Sequence, residues 1–134
     1  MRYLKRFNES HADDIIENVK DILLPINDMG YDVSFRYYII NGDTSQLIIR
    51  VVSWGDKPLF ITDEVKEEFT RMRDYLQSEG YDSIMAKFYK EDRSQDERDI
   101  NDFIDIHKRD IPPSHISYVK EPIVNLLFDA RKKL

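Results

Sequence analysis

The sequence has no cysteine and only four glycines among its 134 residues. The absence of cysteine excludes disulfides, thiolate metal sites and cysteine nucleophiles. Four glycines do not supply a Gly-rich phosphate loop in addition to two helix ends and a turn. No apolar run approaches the roughly 20 residues that a membrane-spanning helix needs, and "MRYLKRFNES" lacks the apolar core of a signal peptide. The composition predicts one cytoplasmic domain, 1–134.

The charge is acidic, with 26 acidic and 20 basic residues and a formal net charge of −6. This balance disfavours nonspecific binding to nucleic acid through the field of the whole surface, although a local basic patch remains compatible with it. Residues 91–110 hold eight acidic and four basic residues. They are either a surface for a basic partner or a solvated loop, and the interspersed bases favour the loop.

Two segments fifty residues apart resemble each other, "DMGYDV" at 28–33 and "SEGYDS" at 78–83. Each follows an amphipathic stretch at helical spacing, which predicts helices over about 11–27 and 62–79. Ser10 is the expected N-cap of the first helix, and Thr62 or Asp63 that of the second. A reaction centre used twice would need only Tyr-Asp to recur. The helix stripe and its terminal glycine recur as well, which favours a duplicated structural unit.

Alternating and β-branched segments predict strands at 31–40, 46–54 and 81–90, the first two joined by the turn "NGDTS" into a hairpin. The segment 90–102 has one apolar residue and is predicted to be an exposed charged loop. Short strands are possible at 103–107 and 115–119. Pro122 suits the first turn of a helix. On a helix, the apolar residues of 123–134 would lie around most of the circumference, so the sequence predicts a C-terminal helix there.

These elements predict a two-layer α+β fold with helices on one face of the sheet. If residues 2–7 form a strand, the order is β-α-β-β-α-β, a ferredoxin-like plait, and Leu4 and Phe7 favour this alternative slightly. If they do not, the order is α-β-β-α-β-β, with 103–107 or 115–119 as the last strand.

The sheet face away from the helices is more apolar than a water-exposed face requires. The residues expected there are Tyr38, Ile40, Trp54, Tyr81, Met85 and Tyr89. The C-terminal helix, a second copy of the chain, or a single-stranded nucleic acid can cover it.

Aromatic and basic residues on the predicted outer face are an argument for nucleic-acid binding, because sheets can present aromatic side chains to single-stranded bases. Stacking is assigned to Tyr38, Trp54 and Tyr89, and phosphate contacts to Arg36, Arg50, Lys87 and Lys90. The segment "IMAKFYK" lacks the leading basic residue and glycine of an RNA-recognition strand, and the acidic total counts against this alternative.

Catalytic chemistry has little support in the sequence. Asp105 and His107 share one face of the possible strand 103–107, and with Asp110 or His115 they form a weak candidate metal site. No catalytic residue and no cofactor is predicted.

The N-terminal "MRYLKRFNES" resembles the opening of many small uncharacterised proteins of tailed bacteriophages, in which a basic-aromatic start leads into Phe-Asn-Glu. The resemblance covers ten residues. It implies a viral origin, production in a bacterial host and an accessory role in the virion or against a host factor, and it transfers no catalytic residues.

The sequence therefore predicts a non-catalytic interaction protein that acts through a protein–protein surface, with self-association as one form. The first alternative is a single-stranded nucleic-acid-binding module, and the second is a small metal-dependent enzyme.

Overall fold

A computed structural model of the chain describes residues 2–53, 59, 62–90, 95–106 and 123–134. In this part of the chain, helices pack on one face of a five-stranded antiparallel sheet. In chain order the elements are α1 (Arg2–Ile22), α2 (Leu24–Asp28), β1 (Tyr31–Ile40), β2 (Thr44–Ser53), α3 (Asp63–Ser78), β3 (Ser83–Lys90), β4 (Gln95–Asp99), α4 (Ile100–Ile106) and β5 (Ile123–Lys133). The predicted α+β class is confirmed.

The strand order in the sheet is β1-β2-β5-β3-β4. The ferredoxin-like order is not confirmed, because residues 2–7 lie in α1 rather than in a strand. A spacing of three residues, as between the apolar positions 4 and 7 of the sequence, is typical of a helix and breaks the alternation of a strand. The prediction that Ser10 is the N-cap of this helix is wrong, because α1 begins at Arg2, eight residues earlier.

The alternative order α-β-β-α-β-β agrees with the first seven elements, if α1 and α2 are counted as one interrupted helix. The interruption lies before Pro25, which occupies the first turn of α2 and lacks the N–H that a continuous helix needs. The last strand of this order is β4, not 103–107 or 115–119. Residues 103–106 are helical in α4, and 115–119 lie outside the described residues.

The repeated Gly-Tyr-Asp segments each end a helix. Gly30 and Gly80 have φ angles of 100° and 96°, the left-handed state that glycine adopts without steric cost. After α3, the Gly80 N–H donates to the Gln77 carbonyl and the Tyr81 N–H to the Leu76 carbonyl. This pair of bonds is a Schellman motif. Both glycines therefore lie at helix C-terminal ends in the left-handed state, and Tyr31 and Tyr81 are both buried.

The predicted C-terminal helix is wrong. Residues Ile123–Lys133 form β5, the central strand, which pairs with β2 on one side and β3 on the other. Leu126, Phe128 and Ala130 are fully buried, and Asn125, Leu127 and Asp129 alternate with them on the opposite face. The apolar Leu127 hides this alternation in the sequence.

The predicted loop 90–102 contains regular structure where it is described. Residues 95–99 form β4, a short edge strand whose side chains are exposed or half-buried, and α4 begins at Ile100. Ile100, Phe103 and Ile104 are buried at helical spacing, which explains why 103–106 is a helix rather than the expected strand. Residues 91–94 lie outside the described part of the chain.

The core lies between the sheet and the helices. Phe128 of β5 makes an edge contact with Phe69 of α3 at 5.0 Å between ring centroids and with Phe103 of α4 at 6.1 Å. Ile15 of α1 and Ile26 of α2 belong to the same buried cluster. All described helices thus bury their apolar sides against one face of the sheet, and none of them is long and apolar enough to cross a membrane.

Candidate interaction face of the sheet

The outer face is the side of the sheet opposite the helices. Cross-strand partners point to the same side, so the register assigns its members. They are Asp32, Ser34, Arg36, Tyr38 and Ile40 of β1; Thr44, Gln46, Ile48, Arg50 and Val52 of β2; Asn125, Leu127, Asp129, Arg131 and Lys133 of β5; Ser83, Met85, Lys87 and Tyr89 of β3; and Gln95, Glu97 and Asp99 of β4. No described helix covers this face. The C-terminal segment that was predicted to cover it as a helix is strand β5 of the sheet itself.

Four of the six predicted surface residues lie on the outer face. Tyr38 and Tyr89 are 43% and 41% exposed, and Ile40 and Met85 are half-buried on the same two strands. Trp54 lies outside the described residues.

The prediction that Tyr81 faces outward is wrong. Tyr81 is 1% exposed and precedes β3, so the alternation of that strand does not apply to it. As the residue after the αL glycine of a Schellman motif, it folds back toward the helix, where an apolar contact is usual. Its hydroxyl lies 3.1 Å from that of Ser45, and the Lys132 ammonium lies 4.8 Å from the centre of its ring.

An apolar line crosses the outer face diagonally. It consists of Tyr38 on β1, Ile48 on β2, Leu127 on β5 and Tyr89 on β3, and we call it the diagonal stripe. Each member lies one strand over and two residues along from the previous one. Three strand spacings and six residue rises give the stripe a length of roughly 25 Å. Its two ends are the exposed tyrosines, and its middle is aliphatic.

Cationic side chains lie on both sides of the diagonal stripe. Arg36 is the direct partner of Ile48, and Arg50 is the partner of Leu127 on the same side. Both arginines are exposed, and neither has a carboxylate partner among the described residues. Lys87 and Arg131 lie on the other side. On β1, β2, β5 and β3 the outer face carries five cations and two carboxylates, and β4 adds the carboxylates Glu97 and Asp99 at the edge of the face.

Asp129 is a buried carboxylate in the middle of the outer face, 6% exposed. Its Oδ1 accepts hydrogen bonds from Gln46 Nε2 at 3.1 Å and Arg131 Nε at 3.2 Å, and its Oδ2 accepts one from Arg131 at 3.3 Å. The Lys87 ammonium lies 3.7 Å from Oδ2. Burial alone would raise the pKa of Asp129, but the hydrogen bonds from Arg131 and Gln46 and the charges of Arg131 and Lys87 hold that pKa below its usual value.

Asp129 therefore forms ion pairs with cations on one side of the stripe only. Lys87 and Arg131 are partly neutralised, whereas Arg36 and Arg50 are not. At the Tyr89 end, the Asn125 side-chain oxygen is buried and accepts no hydrogen bond among the described residues. An unpaired buried acceptor is costly to the fold.

The candidate metal residues are not brought together in the described part of the chain. Asp105 lies in α4, its side chain is outside the described set, and His107 is outside the described residues. Among the residues that are described, no group of three or more histidine, aspartate or glutamate side chains is placed to hold a metal ion.

Four important members of the face were not predicted as site residues: Gln46, Ile48, Leu127 and Asp129. Alternation along 46–54 places Gln46 and Ile48 on one face, but Ile48 is a common strand residue and gives no signal of its own. Leu127 and Asp129 were assigned to a helix. The polar residues Asn125, Asp129 and Arg131 at period two were the available strand signal.

Comparison of the chain with protein-family models, with curated proteins and with solved structures gave no match.

Proposed function

We propose that this protein is a non-catalytic binding protein that uses the outer face of its sheet to bind another protein. The observation that carries the proposal is the diagonal stripe, an apolar line in the centre of a sheet face that no described helix covers. Aliphatic side chains in the middle of the face favour a protein partner, because burying them is the main source of binding energy.

Single-stranded nucleic acid is the second candidate, favoured by the cations on both sides of the stripe and the exposed tyrosines at its ends. The positions of Tyr38 and Tyr89 weaken it. They lie roughly 25 Å apart, with Ile48 and Leu127 between them. Bases stack on neighbouring aromatic side chains in sheet-based binders, and the two aromatic side chains on the described part of the outer face are too distant from each other to hold adjacent bases.

The N-terminal resemblance adds a proposed setting. If the chain is a bacteriophage protein, its partner is a virion component or a host factor, and its role is accessory. This remains a proposal that depends on ten residues.

The proposal is tested by affinity purification from cells that naturally contain the protein, with two variants compared in parallel. Leu127→Glu places a charge in the middle of the stripe, and Gln77→Glu places the same charge on the exposed side of α3, away from the sheet. We expect a defined protein to be retained by the wild type and by Gln77→Glu and lost with Leu127→Glu. Equal retention by all three would contradict the proposal.

The nucleic-acid candidate has its own test. Mobility of a labelled single-stranded oligonucleotide is measured at low salt with the wild type and with Tyr38→Ala plus Tyr89→Ala. A salt-sensitive shift that the double variant abolishes would favour this candidate over a protein partner. The absence of any shift at low salt would remove it.

A further inference from the structure

We propose that the partner segment bound by the outer face is an acidic amphipathic α-helix of another protein, which lies along the diagonal stripe. This inference rests on the proposed function and specifies the chemistry of the partner. It follows from the width, the length and the charge distribution of the stripe.

The width of the stripe favours a helix. In its middle, at Ile48 and Leu127, the stripe is one side chain wide, and the direct outer-face neighbours there are polar or charged. Sheet-on-sheet packing needs a broad apolar face on each layer. A surface helix instead presents one narrow apolar stripe flanked by polar residues, which is the complement of this arrangement. Its length of roughly 25 Å corresponds to about 16 residues of helix at 1.5 Å per residue.

The charges beside the stripe favour an acidic edge on the partner. Arg36 and Arg50 border the middle of the stripe, are exposed, and have no carboxylate partner among the described residues. Glutamates on one edge of a bound helix would pair with both arginines, whereas an uncharged edge would cover the arginines and leave their charges unpaired. On the opposite edge, Asp129 already occupies Lys87 and Arg131. The acidic residues of the bound helix are therefore expected on the edge that faces Arg36 of β1 and Arg50 of β2.

A second copy of the chain is a poor occupant of the same surface. A two-fold interface places each patch against itself. Two outer faces brought together would therefore place Arg36 and Arg50 of both copies around the same stripe, together with Lys87 and Arg131, which Asp129 neutralises only in part. Like charges placed together across an interface are strongly unfavourable.

The experiment uses an 18-residue helical peptide with a leucine stripe flanked by glutamates, labelled for fluorescence anisotropy, and the full-length protein. A matched peptide with lysine in place of every glutamate is the control. We expect the acidic peptide to bind the wild type at least about tenfold more tightly than the basic peptide, with affinity that falls as salt is raised. Binding of the two peptides with equal affinity would overturn the inference.

Charge reversal identifies the surface. Arg36→Glu plus Arg50→Glu is expected to weaken binding of the acidic peptide at least about tenfold. Lys66→Glu plus Arg71→Glu makes the same change in charge on α3 and is expected to leave affinity within about twofold. Equal weakening by both double variants would show that only net charge matters and would overturn the inference.

Two further results separate this inference from the proposed function. If a natural partner is lost with Leu127→Glu but is retained with Arg36→Glu plus Arg50→Glu, the face binds a protein and the acidic helix is wrong. If a single-stranded oligonucleotide displaces the acidic peptide and binds more tightly than it, the ligand class is nucleic acid and both proposals fail.

Discussion

The hydroxyl of Tyr81 lies 3.1 Å from the hydroxyl of Ser45, and both side chains are buried, at 1% and 0% exposure. This hydrogen bond joins the end of α3 to the start of β2. Tyr81→Phe removes one partner and leaves the Ser45 hydroxyl buried. We expect the free energy of unfolding to fall by about 1–2 kcal/mol in urea titrations. Tyr38→Phe removes an exposed hydroxyl and should change it by less than about 0.5 kcal/mol. An equal effect of the two changes would contradict this prediction.

The same contact gives a dependence on alkaline pH. Burial raises the pKa of Tyr81, and the hydrogen bond between Tyr81 and Ser45 opposes this effect only in part. An unfolded tyrosine loses its proton near pH 10. Above that pH the unfolded state binds fewer protons than the folded state, so stability is full below about pH 10 and decreases as pH rises through the raised value. Unfolding measured at pH 9 and pH 11 should show a smaller loss for Tyr81→Phe than for the wild type. Identical losses would show that Tyr81 does not contribute.

The Asp129 carboxylate is expected to stabilise the fold at neutral pH. Its lowered pKa means that this contribution is present above about pH 4 and is lost as pH falls through the folded-state value. Asp129→Asn should lower the free energy of unfolding by about 1.5–3 kcal/mol at pH 7, because the bonds from Gln46 and Arg131 lose their charge assistance. The difference from the wild type should shrink toward pH 2.

Asp82→Asn is the matched control. Asp82 is exposed and directly precedes β3, the strand that pairs with the strand of Asp129. It should leave stability within about 0.5 kcal/mol at both pH values. If Asp129→Asn were as stable as the wild type at pH 7, the hydrogen bonds seen at this carboxylate would make no net contribution.

The glycines of the two repeated segments should be equally intolerant of alanine. Gly80 has φ +96°, and an added Cβ would meet only Lys132 Cδ, at an ordinary distance of 3.7 Å. The cost of Gly80→Ala is therefore backbone strain, about 1–2 kcal/mol. Gly30→Ala should cost a similar amount, since its φ is +100°, and Gly80→Asn should cost less than alanine. Thermal unfolding of the three variants measures this order. A neutral Gly30→Ala would break the equivalence of the two units.

Phe128 is the residue through which β5 joins α3 and α4. Its ring contacts Phe69 and Phe103, and it is fully buried. Phe128→Ala should destabilise the protein by about 3–5 kcal/mol in urea unfolding. Leu134→Ala, at an exposed position beyond the same strand, should have little effect. If Phe128→Ala were tolerated, β5 would not be the centre of the core.

Local periodicity predicted the elements whose two sides differ in polarity. The helix predicted over 62–79 is confirmed as α3. Thr62 is its N-cap and accepts a hydrogen bond from the Val65 N–H at 3.3 Å. The strand 31–40 has the predicted bounds. In these segments apolar residues recur on one side only, so a pattern of 3.6 or 2 residues is unambiguous.

Periodicity failed where an apolar residue lies on the outer face. Leu127 follows Leu126 and precedes Phe128, and three consecutive apolar residues resemble a helix buried all round. The diagonal stripe was not predictable for a different reason. It exists only because β5 lies between β2 and β3, and that order is set by contacts between residues far apart in the chain. Tyr38 and Tyr89 were identified from alternation, but the residues that connect them depend on the strand order.

The central position of β5 also has a consequence for biosynthesis. A ribosome delivers β1 with β2, and β3 with β4, before it delivers Ile123–Lys133. Until then the nascent chain holds two hairpins that have no strand between them, and the sides of β2 and β3 that will accept β5 are unpaired. Unpaired edges recruit strands from other chains. Production yield should therefore depend on how quickly translation reaches the last strand and on chaperones that shield these two edges.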